Sequence, residues 1–230
     1  MWGILCCDSK NITCRHRLKR IVEFVRVNGW YVLGEDLLLR ATTLLRGQIL
    51  GHKLRTTGFR IGPGSNVRGI EFIKVGKDFH AGSRLWLQAV TRYGEQVFAP
   101  RILIGDGLRM SDSVHIAATN YVEIGDGCLF GSKVLIIDHN HGQYSRGHSS
   151  PYEAPTKRSL DSDRSVVIGR NVWLGDSVVV GPGSIIGEGC VVGANSVVKG
   201  ILPPFTISSG IPATVVKKFD FERREWVTSE

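Results

Sequence analysis

The sequence predicts an all-β solenoid, a triangular prism of stacked parallel coils with a helix at its N-terminal end. Six aliphatic residues, Ile168, Leu174, Val180, Ile186, Val192 and Val198, stand six apart, and each of the first five is followed by glycine: Gly169, Gly175, Gly181, Gly187 and Gly193. The fifth residue of each six is Val172, Val178, Ser184, Cys190 or Ser196, all small. A fixed short period of this kind marks stacked repeats. A branched aliphatic suits an inward-facing strand site, and the glycine beside it suits a turn with positive φ or close backbone approach.

Residues 1–60 differ in kind. Arg15, Arg17, Lys19 and Arg20 precede Ile21, Val22, Phe24 and Val25, and Leu37, Leu38, Leu39, Leu44 and Leu45 then suggest a helix from Glu35 to about Leu50. A solenoid needs its open end covered, so a partly helical cap is the plainer role. Peripheral contact of this basic, apolar segment with the inner face of an anionic membrane is the sharper one.

The period fills residues 61–203. Upstream it returns as Ile124, Phe130 and Ile136, as Ile104, Met110 and Ile116, more weakly as Val75, Ala81 and Leu87, and most weakly as Ile61 and Val67. Three hexads make a coil of about 18 residues, and stacking buries a column that no single coil could bury. Irregular stretches interrupt the count at 88–103, by two extra residues near Val122 and Glu123, and at 142–167. Grouped in threes, the hexads put every break after the third wall, which predicts one rim along one corner. Residues 204–230 form a C-terminal tail.

With 42% hydrophobic and 22% charged residues the composition is ordinary for a globular protein. Five cysteines, Cys6, Cys7, Cys14, Cys128 and Cys190, lack paired zinc spacing, and the last two fall at inward fifth positions. A reducing cytoplasm is the natural setting. Met1–Cys7 lacks the basic leader and full apolar stretch of a signal peptide, and Arg26, Glu35, Asp36, Arg40 and Arg46 interrupt every candidate transmembrane run. A net charge of +8 favours an anionic partner, but no nucleic-acid motif accompanies it.

Chemistry is expected beside the longest break. Counting from Ile136, Asn140 is the inward fifth residue and His141 the outward sixth, with His139 two residues earlier. Trp173 is another outward sixth residue. In the loop 142–167, Tyr144, Arg146, His148, Tyr152, Lys157, Arg158 and Arg164 offer aromatic and basic groups suited to gripping a sugar, and Trp86 lies on the rim side of an earlier coil.

These segments carry a resemblance. Ile136–Gly142, Ile168–Gly175 with Asn171, Val172 and Trp173, and Gly193–Pro212 with Ala194, Ser196, Pro203, Pro204 and Gly210 resemble the hexapeptide-repeat acyltransferases of the galactoside, maltose and xenobiotic O-acetyltransferase group. Asp138-His139-Asn140-His141-Gly142, the approach Ser159–Gly169 and the segment Phe221–Trp226 are most similar to the polysaccharide and lipopolysaccharide O-acetyltransferases. The resemblance implies a left-handed parallel β-helix with a long active-site loop, a homotrimer with active sites between subunits, and acetyl-CoA as donor. An ungapped match puts the catalytic base at His141, with His139 next. For the cofactor it implies Trp173 at the seam, Asp176, Ala194 through its backbone, Lys199, Lys217 and its neighbour Lys218. Gly200, where relatives often carry an acid, and Thr214, where some carry arginine, are departures.

The implied reaction is acetylation of a hydroxyl on a cell-surface polysaccharide, a capsule or lipopolysaccharide sugar. Trp86, Tyr144 and Arg158 are the candidate contacts to this carbohydrate acceptor. Imidazole titrates near pH 6.5 and removes the hydroxyl proton as the oxygen attacks the thioester, so direct transfer requires neither a nucleophilic cysteine nor a metal. A small free sugar or an antibiotic is the alternative acceptor, and a non-enzymatic scaffold the alternative class. The zinc carbonic anhydrases share the prism but need three converging histidines, and the register puts His80, His115 and His141 on three different faces.

Overall fold

A computed structural model describes residues 14–144 and 149–229, with side chains from Val22 onward. Met1–Cys7, Arg146 and His148 lie outside the described residues, as do the side chains of Cys14, Arg15, Arg17, Lys19, Arg20 and Ile21. Contacts divide the chain into two compact units, Met1–Thr43 and Leu44–Glu230.

The second unit is a left-handed parallel β-helix with three walls. Its first wall stacks Ile73–Val75, Arg101–Ile104, Tyr121–Ile124, Ser165–Ile168, Ile185–Ile186 and Ile201–Leu202. The second wall stacks Arg60–Ile61, His80–Ala81, Arg109–Met110, Leu129–Phe130, Trp173–Leu174, Val191–Val192 and Thr206–Gly210. On the third are Asn66–Arg68, Trp86–Ala89, His115–Ala118, Leu135–Ile137, Val179–Val180 and Val197–Val198. Neighbouring coils pair in register, so the first residue of each hexad lies above its equivalent: Leu87, Ile116, Ile136, Val180 and Val198 form one such column. All five are buried, and so are the fifth-position residues Val172, Val178, Ser184, Cys190 and Ser196. Burial pushes the Cys128 thiol up to about 11, which leaves it a protonated core residue.

Most of the hexad glycines, Gly181 apart, answer to close approach rather than to positive φ. A Cβ on Gly125 would stand 2.5 Å from the Arg170 backbone nitrogen, and one on Gly169 would stand 2.6 Å from that of Glu188. Four carboxylates clip successive coils at these corners. Asp106, Asp112, Asp126 and Asp176 accept backbone N–H bonds of 2.6–2.7 Å from Lys77, Ser83, Asp106 and Ser132.

All the breaks stack at the corner between the third and first walls. They run from Val90 to Pro100, over Thr119–Asn120, and from Asp138 to Arg164. The two extra residues therefore precede Val122 and Glu123, which lie on the first wall. Differences at the ends concern length. Instead of starting near Glu35, the helix spans Cys14–Lys53, with non-helical φ 81° and ψ 164° at Gly29. Its last turns cap the prism: Leu50 and Leu54 join the core, and Gly51 lies against Phe59, which stacks on Phe79 at 4.7 Å. The segment expected as a tail continues the second wall through Thr206–Gly210, and Ala213–Asp220 and Glu225–Thr228 extend it antiparallel. No described helix is long and apolar enough to cross a membrane.

Overpacking at a corner costs about 1–3 kcal/mol, so Gly125→Ala is expected to lose that much in denaturant unfolding. Gly181→Ala, whose new methyl meets nothing closer than 3.6 Å, should be neutral or gain about 0.5 kcal/mol.

Candidate active site

The rim corner is held together by one carboxylate. Asp138 is fully buried where the chain leaves the third wall. It accepts backbone N–H bonds from Thr119 at 2.9 Å, Asn120 at 2.8 Å and Tyr121 at 2.9 Å, and the Thr119 hydroxyl at 3.0 Å. These groups belong to the coil below, where the two-residue break leaves backbone donors without ladder partners. The same carboxylate meets His139 Nδ1 at 2.8 Å. Donation from Nδ1–H to this carboxylate fixes the tautomer that leaves Nε2 as an acceptor.

The hexad count stops at Asp138, contrary to the reading of Asn140 and His141 as fifth and sixth positions. Asn140–His141 leave the wall and pair antiparallel with Leu160–Asp161, so the outward direction of His141 comes from this two-stranded ribbon. The ribbon is braced by the earlier excursion. Gln96 accepts from Leu160 N at 2.6 Å and donates to its carbonyl at 3.2 Å, and Tyr93 donates its hydroxyl to the Thr156 carbonyl at 3.0 Å. His141 is exposed, with the Tyr93 ring edge-on at 5.1 Å.

Two surfaces flank the imidazoles. Toward the N-terminal coils, Trp86 and His115 are neighbours on the outer third wall, their ring planes tilted by 42° with centroids 5.4 Å apart, and the Trp86 indole donates to Gln88 at 2.8 Å. Burial, with a further contribution from His139, lowers the His115 pKa. Toward the C-terminal coils lies a groove of about 460 Å³ lined by Ile137, Asn140, Arg164, Val179, Val197 and Lys199.

The structure gathers Tyr144 and Arg158 beside His141. Tyr144 donates its hydroxyl to the His141 carbonyl at 2.6 Å and accepts from Arg158 at 2.9 Å. Lys199 enters the groove with Asn140. Trp173, 51% exposed, is on the second wall, the side of the triangle opposite the rim corner. Asp176 and Ala194 lie on the turns that leave that wall, and Lys217 and Lys218 on the strand that extends it. Asp176 is also one of the four corner clips. His80 is on the second wall and His115 on the third. Tyr93 and Gln96 had no assigned role in the sequence reading, and the signal for them was the 88–103 break at the same corner.

His80 shares the direction of His115: burial, Arg109 and Arg60 lower its pKa. For both groups the unfolded chain binds a proton near its ordinary value of 6.5 that the folded chain resists. Stability should therefore fall as pH drops below that value, and His115→Gln should flatten the acid limb of a plot of melting temperature against pH. Asp138→Ala strands several buried N–H groups and should cost more than about 2 kcal/mol in the same unfolding measurement.

A family model for the bacterial transferase hexapeptide, six repeats, matches residues 165–200. WbbJ of Escherichia coli strain K12, described as a lipopolysaccharide biosynthesis O-acetyl transferase, is 44% identical over 162 residues, which cover 70% of this chain and 79% of WbbJ. Among solved structures, AntD, an N-acyltransferase from Bacillus cereus in complex with dTDP and 3-hydroxybutyryl-CoA, matches with a TM-score of 0.55 and 17% identity over 71% of this chain and 81% of its own. A single-residue mutant of AntD in complex with dTDP-4-amino-4,6-dideoxyglucose and coenzyme A gives 0.54 and 17% over 73% and 84%. The AntD likeness is one of fold, whereas the WbbJ identity reaches across most of both chains: the protein belongs to the hexapeptide-repeat O-acetyltransferases.

Proposed function

We propose that the protein transfers acetyl from acetyl-CoA to a hydroxyl of a cell-surface polysaccharide sugar, of capsule or lipopolysaccharide, with His141 as general base, and that it works in the cytoplasm. The observation that carries this reading is the braced ribbon, which presents the exposed His141 imidazole beside the Tyr93 ring and sets its neighbour Asn140 into the groove with Lys199. WbbJ is described as acting in lipopolysaccharide biosynthesis, and AntD holds coenzyme A and a dTDP-sugar. The first supports acetyl transfer to a lipopolysaccharide sugar, and the second a CoA donor.

In this reading the acceptor sugar lies against Trp86 and within reach of Arg158 and Tyr144, and the pantetheine arm follows the groove past Asn140 and Lys199. His141 takes the hydroxyl proton as the oxygen attacks the thioester carbon. The carbon–sulfur bond then breaks, and the imidazolium returns the proton to the departing sulfur. No enzyme-bound acyl group is needed. Trp173, the Ala194 backbone, Asp176, Lys217 and Lys218 would serve the cofactor from a neighbouring copy, because they belong to the wall opposite the rim. A homotrimer supplies that neighbour at each of three sites. The corner-clip bond of Asp176 leaves its second carboxylate oxygen for such a contact.

A second assignment of the base rests on one bond. The hydrogen bond that His139 Nδ1 donates to Asp138 fixes the tautomer of His139, which is the arrangement expected of an oriented base. Single substitutions separate the two. His141→Ala should lower acetyl-transfer turnover by about 10²- to 10⁴-fold while CoA affinity stays near that of the parent. Near-normal turnover in His141→Ala, with a collapse in His139→Ala, would move the base to His139.

A further inference from the structure

The helix Cys14–Lys53 carries an apolar stripe left uncovered among the described residues. Trp30 and Tyr31 are each 76% exposed, and Leu37, Leu38, Leu44, Leu45 and Ile49 are exposed after them. At about 100° per residue these side chains fall on one side of the helix, with Gly34, Ala41 and Gln48 between them, while Val32 and Leu39, also exposed, face away from it. Glu35, Asp36, Arg40 and Arg46 fall outside the stripe, and Arg40 pairs with Asp36 at 2.8 Å. On the last turns the opposite side, with Gly47 and Leu50, is the one buried. The stripe runs for about 30 Å, the length of 20 helical residues.

The half of the helix before Gly29 has another character. Its sequence sets Arg15, Arg17, Lys19, Arg20 and Arg26 against the single acid Glu23, among Leu18, Val22, Phe24, Val25 and Val27. We propose that this helix docks the protein onto an anionic lipid bilayer, lying in the surface plane. The uncharged stripe enters the headgroup–acyl boundary, and the cations before Gly29 meet acidic headgroups.

Three features favour a bilayer over a second copy of the helix. The apolar face spans about 140°, far wider than the narrow seam of a coiled coil. Trp30 and Tyr31, with apolar rings and polar tips, belong to the side-chain type that settles at the lipid–water boundary. Parallel pairing of two copies would also bring their basic halves together, and like charges at that distance repel. The non-helical backbone at Gly29 lets the two halves meet the surface through different faces. This inference does not depend on which residue is the catalytic base.

Co-sedimentation of the full chain tests it, with vesicles of phosphatidylcholine alone and with about 30% phosphatidylglycerol. The protein should partition to the acidic vesicles and be released about tenfold when salt rises from about 0.1 M to about 0.5 M. Combined Trp30→Ser, Tyr31→Ser, Leu37→Ser and Leu38→Ser should reduce partitioning at least about tenfold, with unchanged melting temperature and unchanged mass in light scattering. Several results would overturn the proposal: a chain that stays in the supernatant or binds neutral vesicles equally, or a variant that partitions like the parent. A variant of smaller mass would make the stripe a seam between copies, and a lowered melting temperature would make it an internal packing surface.

Discussion

Everything in the prism depends on a spacing. Parallel strands of successive coils lie about 4.8 Å apart, so the chain at each corner must pass the corner below with almost no room between backbones. Where a methyl would meet a nitrogen of the next coil at 2.5–2.6 Å, only glycine fits, as at Gly125 and Gly169. The same proximity brings Asp106, Asp126 and Asp176 within hydrogen-bond reach of amides one coil away, which satisfies corner N–H groups that no strand ladder serves. With corners fixed in this way, each aliphatic residue must lie above its equivalent, and the column from Leu87 to Val198 is the result.

One corner departs from this rule, and the chemistry gathers there. Between the third and first walls the chain leaves the prism, and Asp138 replaces the short corner clip with a buried carboxylate that collects the donors of the coil below. The excursions then hold one another: Gln96 grips Leu160 at both backbone polar groups, and Tyr93 lies edge-on to His141. A loop would hold an imidazole loosely. A ribbon braced by another loop holds His141 edge-on to Tyr93, and the buried carboxylate at its root holds His139 by Nδ1.

The walls, their order and the location of the rim were legible because each follows from a period of six read three at a time. Ile61 and Val67, the weakest repeats, lie in register with Ala81 and Leu87 as expected. Legibility ended where the period ended. Counting on through Asn140 gave the side chain of His141 an outward direction, but for the wrong reason, since a hydrogen-bonded ribbon and not the hexad sets it. Asp138 stood in plain view within its motif, yet its role depends on Thr119–Tyr121, about eighteen residues away, and no local pattern links them. The start of the helix was missed because Gly29 interrupts the apolar spacing that marks the later half. The C-terminal hairpin pairs by ordinary alternation, which a six-residue count does not detect.

The triangular section also constrains where a complete catalytic site can form. The rim corner with His139 and His141 faces away from the second wall, and Trp173 projects outward from that wall. A ligand lying along one face of a single chain does not meet both. A site that uses both sets of residues therefore joins the corner of one copy to the wall of another, a contact between unlike surfaces. Unlike surfaces repeat from copy to copy until rotation closes them into a ring.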